Sequence, residues 1–279
     1  MFAILKKLIW WLSHKTPSFK GKGKLIGLIT RPNKSREITI KREGINWNIY
    51  AHDLIEFNIA TRKNHQSEVS NILASEIKKN NLKIMWDIGA NIGAISLPIL
   101  KKFPDLKIMM FEPSAEVMGK LIKNLSINPD LLGRYEIFNI ALSNQNGLNK
   151  FYTSNEEFNS GVAGLGHSHN RFKFHVKVQT YSGDDLILNN DVPIPQIIKI
   201  DVEGFEFEVL QGLKNILTKY SPIIIFEHCI YRLDERKHSK DKITNLLKSF
   251  GYKFYNIENN LEISNNDLFE DNDFIAKFS

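Results

Sequence analysis

Residues 84–93 read Ile-Met-Trp-Asp-Ile-Gly-Ala-Asn-Ile-Gly. The apolar residues predict a strand over Ile84–Ile88 that runs into a glycine-rich turn, and the residues after it predict a helix over Ile92–Lys102. Gly89 and Gly93 let the backbone pass close to a ligand where a side chain would clash. Such a turn lies at the carboxyl end of a strand, where open α/β sheets bind ligands. The stretch therefore predicts an α/β fold with a ligand site at this turn.

From residue 84 onward, short apolar runs alternate with helical patterns, which predicts an α/β fold with a mostly parallel sheet. The predicted strands are Ile84–Ile88, Lys107–Glu112, Tyr135–Ile140, Gln196–Asp201, Pro222–His228, Tyr252–Ile257 and Asp273–Phe278. The predicted helices are Ile92–Lys102, Ser114–Ile127, Phe205–Lys219 and Lys240–Ser249. Because no helical pattern separates the last two strands, they predict a hairpin and hence one antiparallel edge strand.

The composition excludes several classes of protein. The chain has 279 residues, of which 42% are hydrophobic and 24% charged, so it is long and apolar enough for a folded core and is not disordered. Its single cysteine, Cys229, excludes an intrachain disulfide and a multi-cysteine metal site. This cysteine usage fits a cytoplasmic protein.

The net charge of +6 is concentrated at the N-terminus. Residues 1–45 carry eleven Lys/Arg and two acids, a net of +9, so the remainder carries a net of −3. Residues 1–12 combine Lys6 and Lys7 with the pair Trp10-Trp11. Two interpretations remain open: a short helix docked on the rest of the protein, or an interfacial helix over residues 1–15 that contacts anionic lipid at the inner face of the membrane. No nucleic-acid partner is expected, because the sequence has no recognisable nucleic-acid-binding motif.

The ends of the first three strands predict a nucleoside pocket. Asp87 supplies a carboxylate that would repel a pyrophosphate and attract a cation, and Glu112 ends the second strand, where an acid can accept both hydroxyls of a ribose. The small Ala141 follows the third strand and could lie against a flat base. S-adenosylmethionine fits this pattern, whereas NAD, with two phosphates, fits poorly. The alternative is that both acids merely cap strand ends.

A second group of polar side chains follows the fourth and fifth strands and could converge beside a methyl donor: Asp201, Glu203, Glu227 and His228. Methylation of an alcohol requires a group that takes up a proton. Asp201 and His228 are the candidate bases, and Glu203 and Glu227 are candidates for orienting the acceptor or donor. The same set could also bind a divalent metal, but no metal is predicted.

Three neighbouring residues receive other interpretations. Glu206 and Glu208 are expected to be solvated on the following helix, and Lys199, in the middle of a strand, could pair with an acid.

Residues 143–175 form an irregular, glycine-rich insert that is expected to be a flexible loop near the mouth of the site. Its candidate acceptor-binding residues are Asn159, Ser160, His167 and Arg171. The alternative is an ordinary mobile surface loop.

Several stretches resemble the FkbM-type family of S-adenosylmethionine-dependent methyltransferases. They are residues 86–93 (WDIGANIG), 111–113 (FEP), 139–143 (NIALS), 198–206 (IKIDVEGFE) and 222–227 (PIIIFE). The resemblance covers about residues 65–260 and implies a class I methyltransferase, Rossmann-like sheet with strand order 3-2-1-4-5-7-6. The predicted cofactor-binding residues are then Asp87, Gly89, Ala90, Asn91, Gly93, Glu112, Pro113, Asn139 and Ala141.

The sequence therefore predicts an S-adenosylmethionine-dependent O-methyltransferase, and the resemblance implies a hydroxyl of a sugar or related metabolite as acceptor. We expect a basic N-terminal extension over residues 1–60 and a methyltransferase domain over residues 61–279. The alternatives are a methyltransferase of the same fold that acts on a protein or nucleic acid, and an inactive ligand-binding homologue.

Overall fold

The computed structural model describes residues 37–50, 55–56, 59, 67–153, 164–165, 174–190, 192–226, 239–257, 261–263 and 274–278. The predicted N-terminal helix and its membrane-contacting alternative lie outside these residues. Within the described ranges, no helix is long and apolar enough to cross a membrane.

The described residues contain a seven-stranded central sheet. In chain order its strands are β3 (Ile84–Ile88), β4 (Lys107–Phe111), β5 (Tyr135–Phe138), β10 (Ile197–Ile200), β11 (Ile223–Phe226), β12 (Tyr252–Asn256) and β13 (Phe274–Phe278). The order across the sheet is β12-β13-β11-β10-β3-β4-β5. This is the order 3-2-1-4-5-7-6 that the family resemblance implies, so the predicted fold class is confirmed.

The antiparallel strand is present, but its expected place at the edge is wrong. β13 pairs antiparallel with both β11 and β12, so it lies between them and β12 forms the edge. The physical reason is that β13 is buried on both faces. Phe274, Ile275 and Ala276 are consecutive and all buried, so their side chains pack on both sides of the sheet, as is typical of an interior strand.

Helices cover both faces of the central sheet. They are α1 (Ser67–Asn80), α2 (Ser96–Lys102), α3 (Ala115–Ser126), α4 (Gly183–Asn190), α5 (Glu206–Gln211), α6 (Lys214–Tyr220) and α7 (Ser239–Ser249). Side chains of α1, α2 and α3 share one apolar cluster with Met85, whereas those of α5, α6 and α7 share another with Trp86. Because successive strand residues point to opposite faces, the two clusters are the two sides of a three-layer α/β/α domain.

The insert after β5 is more regular than the sequence indicates. A second sheet contains β6 (Ala141–Leu142), β7 (Gly147–Thr153), β8 (Gly164–Leu165) and β9 (Phe174–Tyr181), in the order β6-β9-β7-β8. β7 and β9 pair antiparallel over seven residues of β7. The expectation of an irregular loop over residues 143–175 is therefore wrong for β7 and β9, and the residues proposed to bind the acceptor lie outside the described residues.

A hairpin of β1 (Glu37–Arg42) and β2 (Ile45–Tyr50) precedes the domain and packs on it. Its polar residues bond to α3 and to the turn that follows it: the backbone N–H groups of Asn46 and Asn48 donate to Oδ1 of Asn128 and Asn124, at 2.9 and 2.8 Å. The alternate residues of β2 are buried in the same apolar cluster as α1: Ile45, Trp47 and Ile49. The hairpin therefore shares a core with residues that follow position 61.

The helical pattern predicted over Phe205–Lys219 is two helices, because Gly212 separates α5 from α6. A Cβ atom at Gly212 would lie 1.9 Å from the carbonyl oxygen of Ser143. The chain leaving β6 thus packs directly on the backbone at Gly212, which connects the second sheet with the helical layer.

We predict that Gly212→Ala destabilises the fold by about 1–3 kcal/mol or more, because the added methyl group meets a fixed backbone carbonyl. The matched control is Gly119→Ala in α3, where an added Cβ would meet nothing within 4 Å. That substitution should stabilise the helix by roughly 0.5–1 kcal/mol. Urea unfolding of both variants measures the difference, and equal midpoints would contradict the proposed packing.

Candidate active site

The candidate site lies at the carboxyl edge of the central sheet, where parallel strands bring their C-terminal ends together. β3 and β10 are neighbours, and their register pairs Asp87 with Lys199. The turns after these two strands meet as well: a Cβ at Gly89 would lie 1.9 Å from the carbonyl oxygen of Asp201. Gly89 also has φ +81°, which disfavours any residue with a side chain. The side of Gly89 on which a Cβ would project therefore faces the turn after β10, and the close approach of Gly89 to a ligand stays a prediction.

A buried lysine connects the two acidic strand ends. Lys199 Nζ lies 3.3 Å from Asp87 Oδ1 and 3.2 Å from Asp201 Oδ2, and it donates to the carbonyl oxygen of Gly89 at 3.1 Å. Lys199 is 5% exposed and Asp87 is fully buried. The expectation that Lys199 pairs with an acid is confirmed. One ammonium and two carboxylates leave this ion triad, Asp87-Lys199-Asp201, with a net charge of −1.

Asp87 is suited to a cationic ligand group. Its Oδ2 accepts a hydrogen bond from Ser96 Oγ at 2.6 Å. Its Oδ1 is at ion-pair distance from Lys199, yet within the described part of the chain it is a buried side-chain oxygen that accepts no hydrogen bond. Buried acceptors are normally satisfied, so an N–H donor on a bound ligand would complete the site. The α-ammonium group of S-adenosylmethionine is such a donor.

Glu112 connects the glycine-rich turn to the start of α3. Its Oε2 accepts from the backbone N–H of Asn91 at 3.0 Å, and its Oε1 accepts from that of Ser114 at 2.9 Å. Burial raises the pKa of the Glu112 carboxyl to about 7, against the effect of these two hydrogen bonds. A carboxylate has about four lone-pair sites, so two are left for further donors such as ribose hydroxyls.

The other predicted cofactor-binding residues surround these acids in different ways. Asn139 donates from Nδ2 to the carbonyl oxygens of Glu112 and Pro113, at 2.8 and 3.2 Å, and so supports the turn after β4. Ala141 is 6% exposed and packs in a small cluster with Phe151, Val178 and Phe205. Ala90, Asn91 and Gly93 lie in the glycine-rich turn itself. Ala90 and Gly93 are buried, and Asn91 has a φ of +51°.

The turn after β10 holds an acid that sequence reasoning misjudged. Glu206 is 8% exposed, and its Oε1 accepts a hydrogen bond from the backbone N–H of Gly204 at 2.9 Å. Burial raises the pKa of its carboxyl to about 7. The expectation that Glu206 is solvated is wrong, because its side chain folds back onto the turn instead of pointing along the helix surface. Glu208 is half-buried.

Asp201 and Glu203, two of the predicted catalytic residues, both lie on this turn, Glu203 at φ +59°. Glu227 and His228 follow β11 and lie outside the described residues, so their convergence with Asp201 stays a prediction. Across the ranges that the structure describes, no three His, Cys, Asp or Glu side chains are grouped to hold a metal ion.

The pKa of Glu112 predicts how the stability of the ligand-free protein depends on pH. Its carboxyl keeps its proton up to about pH 7 when folded, but releases it near the ordinary value of 4.5 when unfolded. The folded state therefore binds more protons within this window, and stability should fall by on the order of 2–3 kcal/mol from this group as pH rises from 4.5 to 7. Urea unfolding across this pH range measures the fall.

Glu112→Gln should make that fall shallower, leaving the share that Glu206 contributes by the same mechanism. The control is Glu136→Gln, an exposed acid on β5 that is ion-paired with Lys107. The account is contradicted when the two variants show the same pH dependence.

Comparison with known proteins bears on this site. The family model described as the methyltransferase FkbM domain matches residues 87–254, which begin at Asp87 and include both turns. Hexuronic acid methyltransferase AglP of Haloferax volcanii is 28% identical over 163 residues, 58% of this chain and 62% of AglP. The 2-O-methyltransferase NoeI of Sinorhizobium fredii is 28% identical over 179 residues, 60% of this chain and 72% of NoeI.

The chain thus spans less than two thirds of the length of AglP. Among solved structures, the methyltransferase FkbM from Methylobacillus flagellatus is 16% identical and superposes with a TM-score of 0.48, over 71% of this chain and 44% of that chain. The family model covers more than half of the 279 residues. The chain therefore belongs to the methyltransferase FkbM domain family.

Proposed function

We propose that the protein transfers the methyl group of S-adenosylmethionine to a hydroxyl group of a sugar, a glycan, a glycolipid or a related metabolite. The observation that carries this proposal is the ion triad, whose net charge is −1 and in which the buried Asp87 Oδ1 accepts no hydrogen bond from the residues that the structure describes. A site of this charge favours a cationic cofactor over a pyrophosphate-bearing one. Family membership supports methyl transfer, and the names of AglP and NoeI support a sugar hydroxyl as acceptor.

Different residues at the sheet edge would bind different parts of the cofactor. In this proposal Asp87 binds the α-ammonium group, and Glu112, one strand away, accepts hydrogen bonds from the ribose; the strand pairing and the hydrogen bonding of the two carboxyl groups support these roles. Ala90 and Asn91, in the turn between them, and Ala141, beyond β5, would border the nucleoside. When bound, S-adenosylmethionine supplies a methyl group that its sulfonium charge already activates.

The chain's own contribution to chemistry is to align the acceptor and to take up its proton. Asp201 is the described candidate for the base, because its side chain is 19% exposed while Lys199 pairs with its Oδ2. His228 is the second candidate, and Glu203 and Glu227 would orient the acceptor or the donor. Asn159, Ser160, His167 and Arg171, in the insert, are proposed to contact the acceptor.

No metal is required by this proposal. Between Asp87 and Asp201 the positive charge is supplied by the Lys199 ammonium.

We predict that the protein binds S-adenosylhomocysteine with micromolar affinity, about −8 kcal/mol. Asp87→Asn and Glu112→Gln should each weaken binding by about tenfold or more, because each removes charge from an acceptor of cofactor hydrogen bonds. Isothermal titration calorimetry measures both. The matched control is Glu136→Gln, an acid at the same sheet but exposed and ion-paired with Lys107, which should bind as the unaltered protein does.

Failure of the unaltered protein to bind S-adenosylhomocysteine would overturn the methyltransferase proposal. Binding without transfer to free or lipid-linked sugars would favour the alternatives, a macromolecular acceptor or an inactive homologue.

We also propose that residues 1–15 bring the cytoplasmic enzyme to the inner face of the membrane. The support is the sequence alone: Trp10 and Trp11 suit the headgroup region, and Lys6, Lys7 and Lys15 suit anionic lipid. Such a location would present the enzyme to lipid-linked sugars.

Sedimentation with liposomes tests this location. More of the full-length protein should pellet with phosphatidylglycerol vesicles than of a variant lacking residues 1–15, and the difference should shrink with neutral phosphatidylcholine vesicles. Equal soluble fractions of the two proteins would instead support a helix that docks on the domain.

A further inference from the structure

The turn between β10 and α5 has an unfavourable backbone shape. Two consecutive residues, Glu203 with φ +59° and Gly204 with φ +96°, adopt left-handed conformations. Glycine tolerates this region, but a residue with a Cβ such as Glu203 does so only when the surrounding structure holds it there. The turn carries two proposed catalytic residues, Asp201 and Glu203, so what holds its shape matters for the site.

The carboxylate of Glu206 is placed to hold this turn. Oε1 accepts a hydrogen bond from the backbone N–H of Gly204 at 2.9 Å, the left-handed residue itself. Phe205, the residue that precedes α5, has no side-chain acceptor for a capping bond, and Glu206 supplies a side-chain acceptor for this turn. Burial raises the pKa of the Glu206 carboxyl to about 7, and the hydrogen bond from the Gly204 N–H opposes this rise. A buried polar group of this kind is normally retained only with its hydrogen-bond partners satisfied.

A displacement of this turn would also move the residues that are proposed to bind the cofactor. The carbonyl oxygen of Asp201 packs against Gly89, where a Cβ would lie 1.9 Å away, and Asp201 Oδ2 lies 3.2 Å from Lys199 Nζ. Phe205 packs from the other side against the second sheet, in the cluster that contains Ala141. The turn is therefore wedged between the glycine-rich turn and the insert, and a change in its shape alters both.

We propose that Glu206 is a positioning residue. Its carboxyl group fixes the turn 201–205, so that Asp201 stays ion-paired with Lys199 and its backbone stays packed against Gly89, in the geometry that binds the cofactor. This inference rests on the proposed function and adds to it a residue that the expected solvated position had excluded. Glu206 acts through the turn and touches neither methyl donor nor acceptor in this proposal.

Binding of S-adenosylhomocysteine to a set of variants tests the role. Glu206→Ala removes the acceptor of the Gly204 N–H and should weaken binding by about tenfold. Glu206→Gln keeps an acceptor oxygen at the same reach and should recover most of the affinity. The matched control is Glu208→Ala, on the same helix and half-buried, which should leave affinity unchanged.

All variants are titrated well below their unfolding temperatures, so that only folded protein is compared. A residue that merely stabilised the fold would lower the melting temperature without changing the affinity of the folded protein. If Glu206→Ala does not fold, Glu206→Asp takes its place, because it keeps the carboxyl group but withdraws it by one methylene group, and it should show the same loss.

Three results decide the matter. Weaker binding by Glu206→Ala or Glu206→Asp, with recovery by Glu206→Gln, supports the positioning role. Unaltered affinity in the Ala or Asp variant, or equal losses in Ala and Gln, would overturn it while leaving the proposed function intact. Absence of binding by the unaltered protein would overturn the proposed function itself, and this role with it.

Discussion

The interaction on which the site depends is the buried ion triad at the carboxyl ends of the neighbouring strands β3 and β10. Lys199, 5% exposed, lies between Asp87 and Asp201 and also donates to the backbone of Gly89. Removing one partner from a buried ion pair leaves an uncompensated charge, which costs about 3–5 kcal/mol. The triad therefore requires β3 and β10 to be neighbours in register, and it requires a residue without a Cβ at position 89. The same residues therefore depend on the pairing of the strands and set the geometry of the site.

Other elements of the fold hold the site in place without being part of the ion triad. The second sheet packs against the turn after β10 through Phe205, and the N-terminal hairpin is held to α3 by Asn124 and Asn128. Glu112 joins the glycine-rich turn to α3 through backbone hydrogen bonds. The site is thus supported from several elements at once, which is what keeps binding groups in a fixed geometry.

The sequence predicts the parts of the fold that local patterns determine. The seven central strands and the placement of Asp87, Glu112 and Asp201 follow from apolar runs that end in acids and glycines. The rest depends on contacts between distant residues. β7 and β9 pair across a glycine-rich stretch of the insert, and β13 inserts between β11 and β12, neither of which periodicity reveals. Helical spacing does not predict the burial of Glu206, because it says nothing about a side chain that folds back onto the preceding turn. The available signal in the sequence is Gly204, two residues earlier, which indicates a tight turn at this point.

A double-mutant cycle on the ion triad tests the central claim most directly. Urea unfolding would be measured for Lys199→Met, Asp201→Asn and the double variant. Lys199→Met leaves two carboxylates near each other without a cation, and Asp201→Asn in that background removes one of them. The account predicts that the double variant is more stable than the sum of the single losses implies, by at least about 1 kcal/mol, because the two residues are coupled. Losses that simply add would contradict it.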